Sequence, residues 1–86
     1  MTFKEAKLPK NVYLIFDNDE EIYEGILIEI VDIDKEENQC VLLVDNLMPQ
    51  TARLQVPYTA LEDSVMHMAG VHLFIDKEAA NEHLNK

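Results

Sequence analysis

Glu21-Ile22-Tyr23-Glu24-Gly25-Ile26-Leu27-Ile28-Glu29-Ile30-Val31-Asp32-Ile33-Asp34 is the stretch whose reading decides the fold. Its isoleucines and valine are stiff at χ1 and suit a pleated surface better than a helix. Ile22, Ile26, Ile28 and Ile30 take the even positions, and Tyr23, Leu27, Val31 and Ile33 take odd ones. Both faces are apolar, so strict alternation fails. The pattern predicts one long strand, bent strongly enough to cross from one side of a small barrel to the other. Gly25 is the expected bend or bulge point.

Punctuation on either side frames this strand. Before it, Val12-Tyr13-Leu14-Ile15-Phe16 reads as a first strand and Asp17-Asn18-Asp19 as a turn. Pro9 ends any helical turn in the mildly basic opening (Lys4, Lys7, Lys10). After it, Asp34-Lys35-Glu36-Glu37-Asn38 is a turn and Cys40 to Val44 a third strand. Asp45 to Gln50 is a loop, and Arg53 to Val56 a shorter fourth strand that Pro57 ends or places at an edge. Tyr58 to Asp63 suits a helical turn, and Ser64 to Ala69 takes no assignment. Val71 to Ile75 is a last strand. Asp76 is expected to cap a helix from Lys77 to Asn85 by accepting from its first-turn amides, with Glu78 favourable at that positive end. Ala80 and Leu84 share a helical face and pack that helix on the sheet. The expectation is a single domain over residues 1–86, mainly β with a C-terminal helix (α+β). Its form is a small SH3-like or Sm-like antiparallel barrel, or a strongly curved sheet.

The tail Val71-His72-Leu73-Phe74-Ile75-Asp76-Lys77-Glu78-Ala79-Ala80-Asn81-Glu82-His83-Leu84 resembles the ending of many small uncharacterised proteins from phages and other mobile elements of bacteria. Those proteins end with an apolar strand, a capping residue and an acidic-alanine helix closing on leucine. They often carry a glycine in a long upstream hairpin strand, as at Glu24-Gly25-Ile26. The resemblance departs in the long Leu47 to Met68 segment. It implies an SH3-like barrel and a mobile-element origin, and it implies no activity.

The net charge of -10 comes from the window Asp17 to Asp45. Its acids are Asp17, Asp19, Glu20, Glu21, Glu24, Glu29, Asp32, Asp34, Glu36, Glu37 and Asp45, against one base, Lys35. The rest of the chain sums to zero. Such a field disfavours direct contact with nucleic acid or an anionic membrane, and favours a basic partner. With 48% hydrophobic residues, two glycines and three prolines, the composition is globular rather than disordered. No apolar run approaches the ~20 residues of a membrane span, and the opening residues lack the apolar core of a signal peptide. The single cysteine, Cys40, forbids an internal disulfide framework. A cytoplasmic location is expected.

Catalytic and cofactor signatures are missing. His67 and His72 are five apart, which fits neither a helical metal pair nor a zinc pattern, so with His83 they read as surface or rim histidines. Cys40 sits among acids that oppose a reactive thiolate, and reads as a small buried hydrophobe. Asp17 to Glu21 lacks the glycine and the twelfth-position glutamate of a calcium loop. Gly25 and Gly70 alone cannot build a phosphate cradle. Tyr13, Tyr23 and Tyr58 lie on different elements, which weakens a proline-peptide groove. Met48, Met66 and Met68 suit core packing.

The expected function is therefore non-enzymatic, without cofactor or metal. The sharper reading is an acidic inhibitor or regulator, of the anti-restriction or anti-CRISPR kind in size and charge, that occupies the nucleic-acid-binding surface of a basic protein. Its candidate contacts are Asp17, Asp19, Glu20, Glu21, Glu24, Glu29, Asp32, Asp34, Glu36 and Glu37. Same-face strand residues repeat every ~6.6 Å, whereas duplex DNA carries a charge per ~1.7 Å. One row is too sparse, so the mimic needs both sides of a hairpin and its turns. The alternative is a solubilising acidic face on a structural or assembly module, a homo-oligomeric barrel pairing through the Cys40 to Val44 strand with Leu47-Met48 over the junction.

Overall fold

A computed structural model describes residues 1–47 and 50–85. Its elements are β1 (Lys10–Phe16), β2 (Tyr23–Asp34), β3 (Gln39–Asp45), β4 (Ala52–Val56), a 3-10 turn (Tyr58–Glu62), β5 (Val65–Met68), β6 (Val71–Phe74) and α1 (Lys77–Leu84). The described strands form one antiparallel sheet in the order β4-β3-β2-β1-β6-β5, curled into a half-barrel. Met48 and Pro49, part of the expected Asp45 to Gln50 loop and of the expected junction cover, lie outside the described residues.

Burial follows strand alternation. Val12 and Leu14 of β1 face the concave core with Leu27, Cys40, Leu42, Val44 and Leu73. Tyr13 and Ile15 face the other side, where Phe74 and Ala80 of α1 join them. β1 is thus buried on both faces, which is why its sequence is an unbroken apolar run. α1 covers β1 and β6, with Leu84 packed beside Ala80 as the helical spacing requires.

Four sequence expectations change. The bulge in β2 is not at Gly25. Leu27 pairs with Val44, Glu29 with Leu43 and Ile30 with Leu42, so Ile28 is the extra residue. One extra residue inverts the alternation, turning Glu29 outward and Ile30 inward. That phase change, repeated between Val31 and Asp34, explains why both faces of the sequence are apolar. Asp32 there has φ 51°, a left-handed conformation that aspartate tolerates. Gly25 serves close packing instead: a Cβ there would lie 2.8 Å from both Leu47 Cγ and Val44 Cγ1.

Asp76 does precede α1, but its side chain makes no capping bond. It pairs with the N-terminal ammonium at 3.6 Å. The unassigned Ser64 to Ala69 stretch contains β5, which forms a tight hairpin with β6 across Ala69-Gly70. Gly70 supplies the positive φ of 74° that this turn needs. Finally, Cys40 to Val44 is not a free edge. β3 is paired on both sides, by β2 and by β4.

The N-terminal segment also closes one end of the half-barrel. Thr2 and Glu5 bond each other's amides through their side chains, at 3.2 and 3.1 Å, a reciprocal capping box. The amides of Phe3 and Lys4 donate to the carbonyls of Asp63 and Leu61. Phe3 is thereby seated in the core at 1% exposure, beside Leu61 and Val56.

Candidate functional site

The two acidic turns sit at opposite ends of β2. Asp17, Asp19, Glu20 and Glu21 connect β1 to β2, and Asp34, Glu36 and Glu37 lie at or beyond its far end. A 12-residue strand separates them, up to roughly 36–40 Å if straight. Between them Glu24 and Glu29 project from the convex face, where Asp45 of β3 lies opposite Ile26. Of the ten expected contact residues, nine are exposed and Asp19 is half-buried.

Several of these carboxylates already have partners. Asp32 meets Arg53 at 3.4 Å and Glu24 meets Lys77 at 3.6 Å. Exposed pairs of this kind contribute ~0–1 kcal/mol and are readily exchanged. Asp34 Oδ1 accepts from the Glu37 amide, which builds the β2–β3 turn. Asp19 Oδ1 accepts from the Glu21 amide, and its Oδ2 accepts from the Tyr23 hydroxyl at 2.5 Å. The Tyr23 bond holds the Asp19 carboxyl below the ordinary aspartate range and pushes the Tyr23 phenol up. Glu20, Glu21, Glu29, Glu36 and Glu37 have no ion-pair partner among the described residues.

The three histidines, read from the sequence as separate surface residues, converge. The β5–β6 hairpin places His67 opposite His72, with 2.7 Å between their Nδ1 atoms. His72 Nε2 donates to Asp17 Oδ1 at 2.5 Å. The ring of His83 from α1 lies 4.7 Å from that of His72 and 5.4 Å from that of Phe74. With Asp17 accepting, a neutral His72 carries its proton on Nε2, so His67 Nδ1–H donates to His72 Nδ1. Sequence spacing missed this cluster because hairpin pairing brings together residues five apart and α1 folds back over them. Among the described residues no three His, Cys, Asp or Glu side chains form a metal cage.

The remaining sequence candidates disperse. Tyr13 is buried under α1, Tyr23 stands at one end of the half-barrel, and Tyr58 packs near Lys35 at the other. Cys40 is buried in the core, and burial pushes its thiol pKa up, away from the thiolate. No described helix is long and apolar enough to cross a membrane.

A second surface feature was not legible in the sequence. At the end opposite Phe3, an apolar cavity of about 480 Å³ opens between the two edge strands. Leu14 and Phe16 of β1, Tyr23 of β2, Leu54 of β4, Met68 of β5 and Val71 of β6 line it. Phe16 and Tyr23, which meet edge to face at 5.5 Å, are 40% and 37% exposed there. No protein-family model matches this chain, and no significant match to a curated protein or a solved structure is found.

Proposed function

We propose that this protein is a non-enzymatic acidic binding protein that occupies the nucleic-acid-binding surface of a basic partner. The observation that carries the reading is the display of the charge. Nearly all of it stands outward on one hairpin and its turns, and five glutamates there lack an ion-pair partner among the described residues. The hairpin and its turns fix the backbone that carries these carboxylates, so binding orders side chains alone, and they steer an Arg/Lys-lined surface toward them. Their placement supports engagement by two acidic ends joined through Glu24 and Glu29, rather than by one dense row. The resemblance of the tail to mobile-element proteins favours an inhibitor of a host nucleic-acid-binding protein.

Capture of partners from host lysate at low and high salt tests this. Binding is expected to fall steeply as salt rises. Replacing Glu24, Glu29, Asp32 and Asp34 by their amides is expected to abolish it. A partner held equally well at both salts would rule the reading out. The assembly alternative now falls to the edge strands β4 and β5, and a sedimented mass several times 9.9 kDa would favour it.

A further inference from the structure

The half-barrel is unclosed, and its two ends differ. Phe3 and Leu61 seal one end. The other exposes the cavity between Leu54 on one edge strand and Met68 on the other, with the Phe16–Tyr23 pair as a wall. A cavity of this size and apolar lining falls within the ~300–1,000 Å³ of ligand sites that bury apolar groups. Its surroundings are acidic. Phe16 and Tyr23 are the two residues that bracket the turn carrying Asp17, Asp19, Glu20 and Glu21, and Tyr23 is bonded to Asp19. Glu24, paired with Lys77, and Asp45 stand at the same end of the sheet but on its convex face, behind the cavity. The one base on the lining strands near this end, Arg53, pairs with Asp32.

We infer that this cavity takes one large apolar side chain of a peptide segment from the partner, and that lysines or arginines flanking it meet the β1–β2 turn. The inference rests on the basic-partner reading and adds the point of anchorage. The apolar side chain leaves water against Leu14, Leu54, Met68 and Val71, which supplies affinity that charge alone does not. The flanking cations meet Glu20 and Glu21, and a guanidinium also finds the exposed face of Tyr23. A partner lacking either half binds poorly: acidic flanks are repelled, and a basic segment without the anchor leaves the cavity unfilled.

The test uses the full chain and short synthetic peptides. Their central residue is varied over Leu, Ile, Met, Phe and Ser, and their flanks over Lys/Arg, Gln and Glu. Affinity is read by fluorescence anisotropy, and the site by methyl NMR shifts of Leu54, Met68 and Val71. Peptides with an apolar centre and basic flanks are expected to bind and to move those methyls. A serine centre is expected to weaken binding on the order of tenfold or more, the loss of one buried apolar side chain. Phe16→Ala and the pair Glu20→Gln/Glu21→Gln are each expected to weaken it, the latter only at low salt. Because the methyl shifts are read on the unaltered chain, the result stands even if Phe16→Ala misfolds. Basic peptides that bind irrespective of their centre and leave the methyls unmoved overturn this inference while leaving the basic-partner reading intact. Apolar peptides that bind equally with Gln flanks overturn it and speak against that reading too. No binding by any peptide, or a cavity filled by a second copy as shown by a sedimented dimer that shifts the same methyls, overturns the anchorage alone.

Discussion

Tyr23 shows how one side chain serves structure and electrostatics together. Its ring packs edge to face on Phe16, and its hydroxyl donates to Asp19. The Asp19 carboxyl is consequently held below its usual pKa, so it favours the fold above the unfolded value and that benefit disappears as pH falls through the folded value. Tyr23→Phe is expected to return the Asp19 carboxyl toward the ordinary aspartate value in an NMR pH titration; an unmoved titration would show that the hydroxyl does not cause the shift. Gly25 makes a steric demand. An added Cβ meets Leu47 and Val44 at 2.8 Å and the Asp45 carbonyl oxygen at 3.1 Å. Gly25→Ala is expected to cost about 1–3 kcal/mol of stability in denaturant unfolding, the usual range for overpacking a closed site. A neutral result would mean that both Leu47 and Val44 move aside freely.

Among the elements, β2 carries most of the information, and its bulge is the part that periodicity alone misreads. Counting outward from Leu27 by twos places Glu29 inside and Ile30 outside. The pairing of Glu29 with Leu43 and of Ile30 with Leu42 reverses both. Ile30→Lys is therefore expected to cost on the order of 2 kcal/mol, since a charge would enter the core side. Glu29→Lys should change stability by roughly 0.5 kcal/mol or less. Equal effects, compared by thermal or urea unfolding, would refute the bulge at Ile28. α1 is the opposite case, an element whose extent the sequence reads well while its cap differs. The Asp76 carboxylate has two candidate partners, the first-turn amides and the chain's own ammonium, and the folded N-terminus brings the second within 3.6 Å.

At the scale of the molecule, three separate parts meet at the histidines: the β1–β2 turn through Asp17, the β5–β6 hairpin through His67 and His72, and α1 through His83. Ile15 of β1, the residue paired with His72, adds no charge. The 2.7 Å contact between Nδ1 atoms holds one hydrogen.

What the sequence determined by itself was whatever depends on near neighbours. The strands at Val12 to Phe16 and Cys40 to Val44, the length of β2, the helix after Asp76, the mixed α+β class and the acidic window are all local patterns of apolar, turn-forming and charged residues. What only the tertiary structure decided depends on pairing register and closure. A single extra residue at Ile28 inverts the side facing the core, which composition does not reveal. The meeting of His67, His72, His83 and Asp17 needs a hairpin and a returning helix. The cavity between Leu54 and Met68 exists because the two edge strands do not close the sheet, a property of the assembled curvature rather than of any segment.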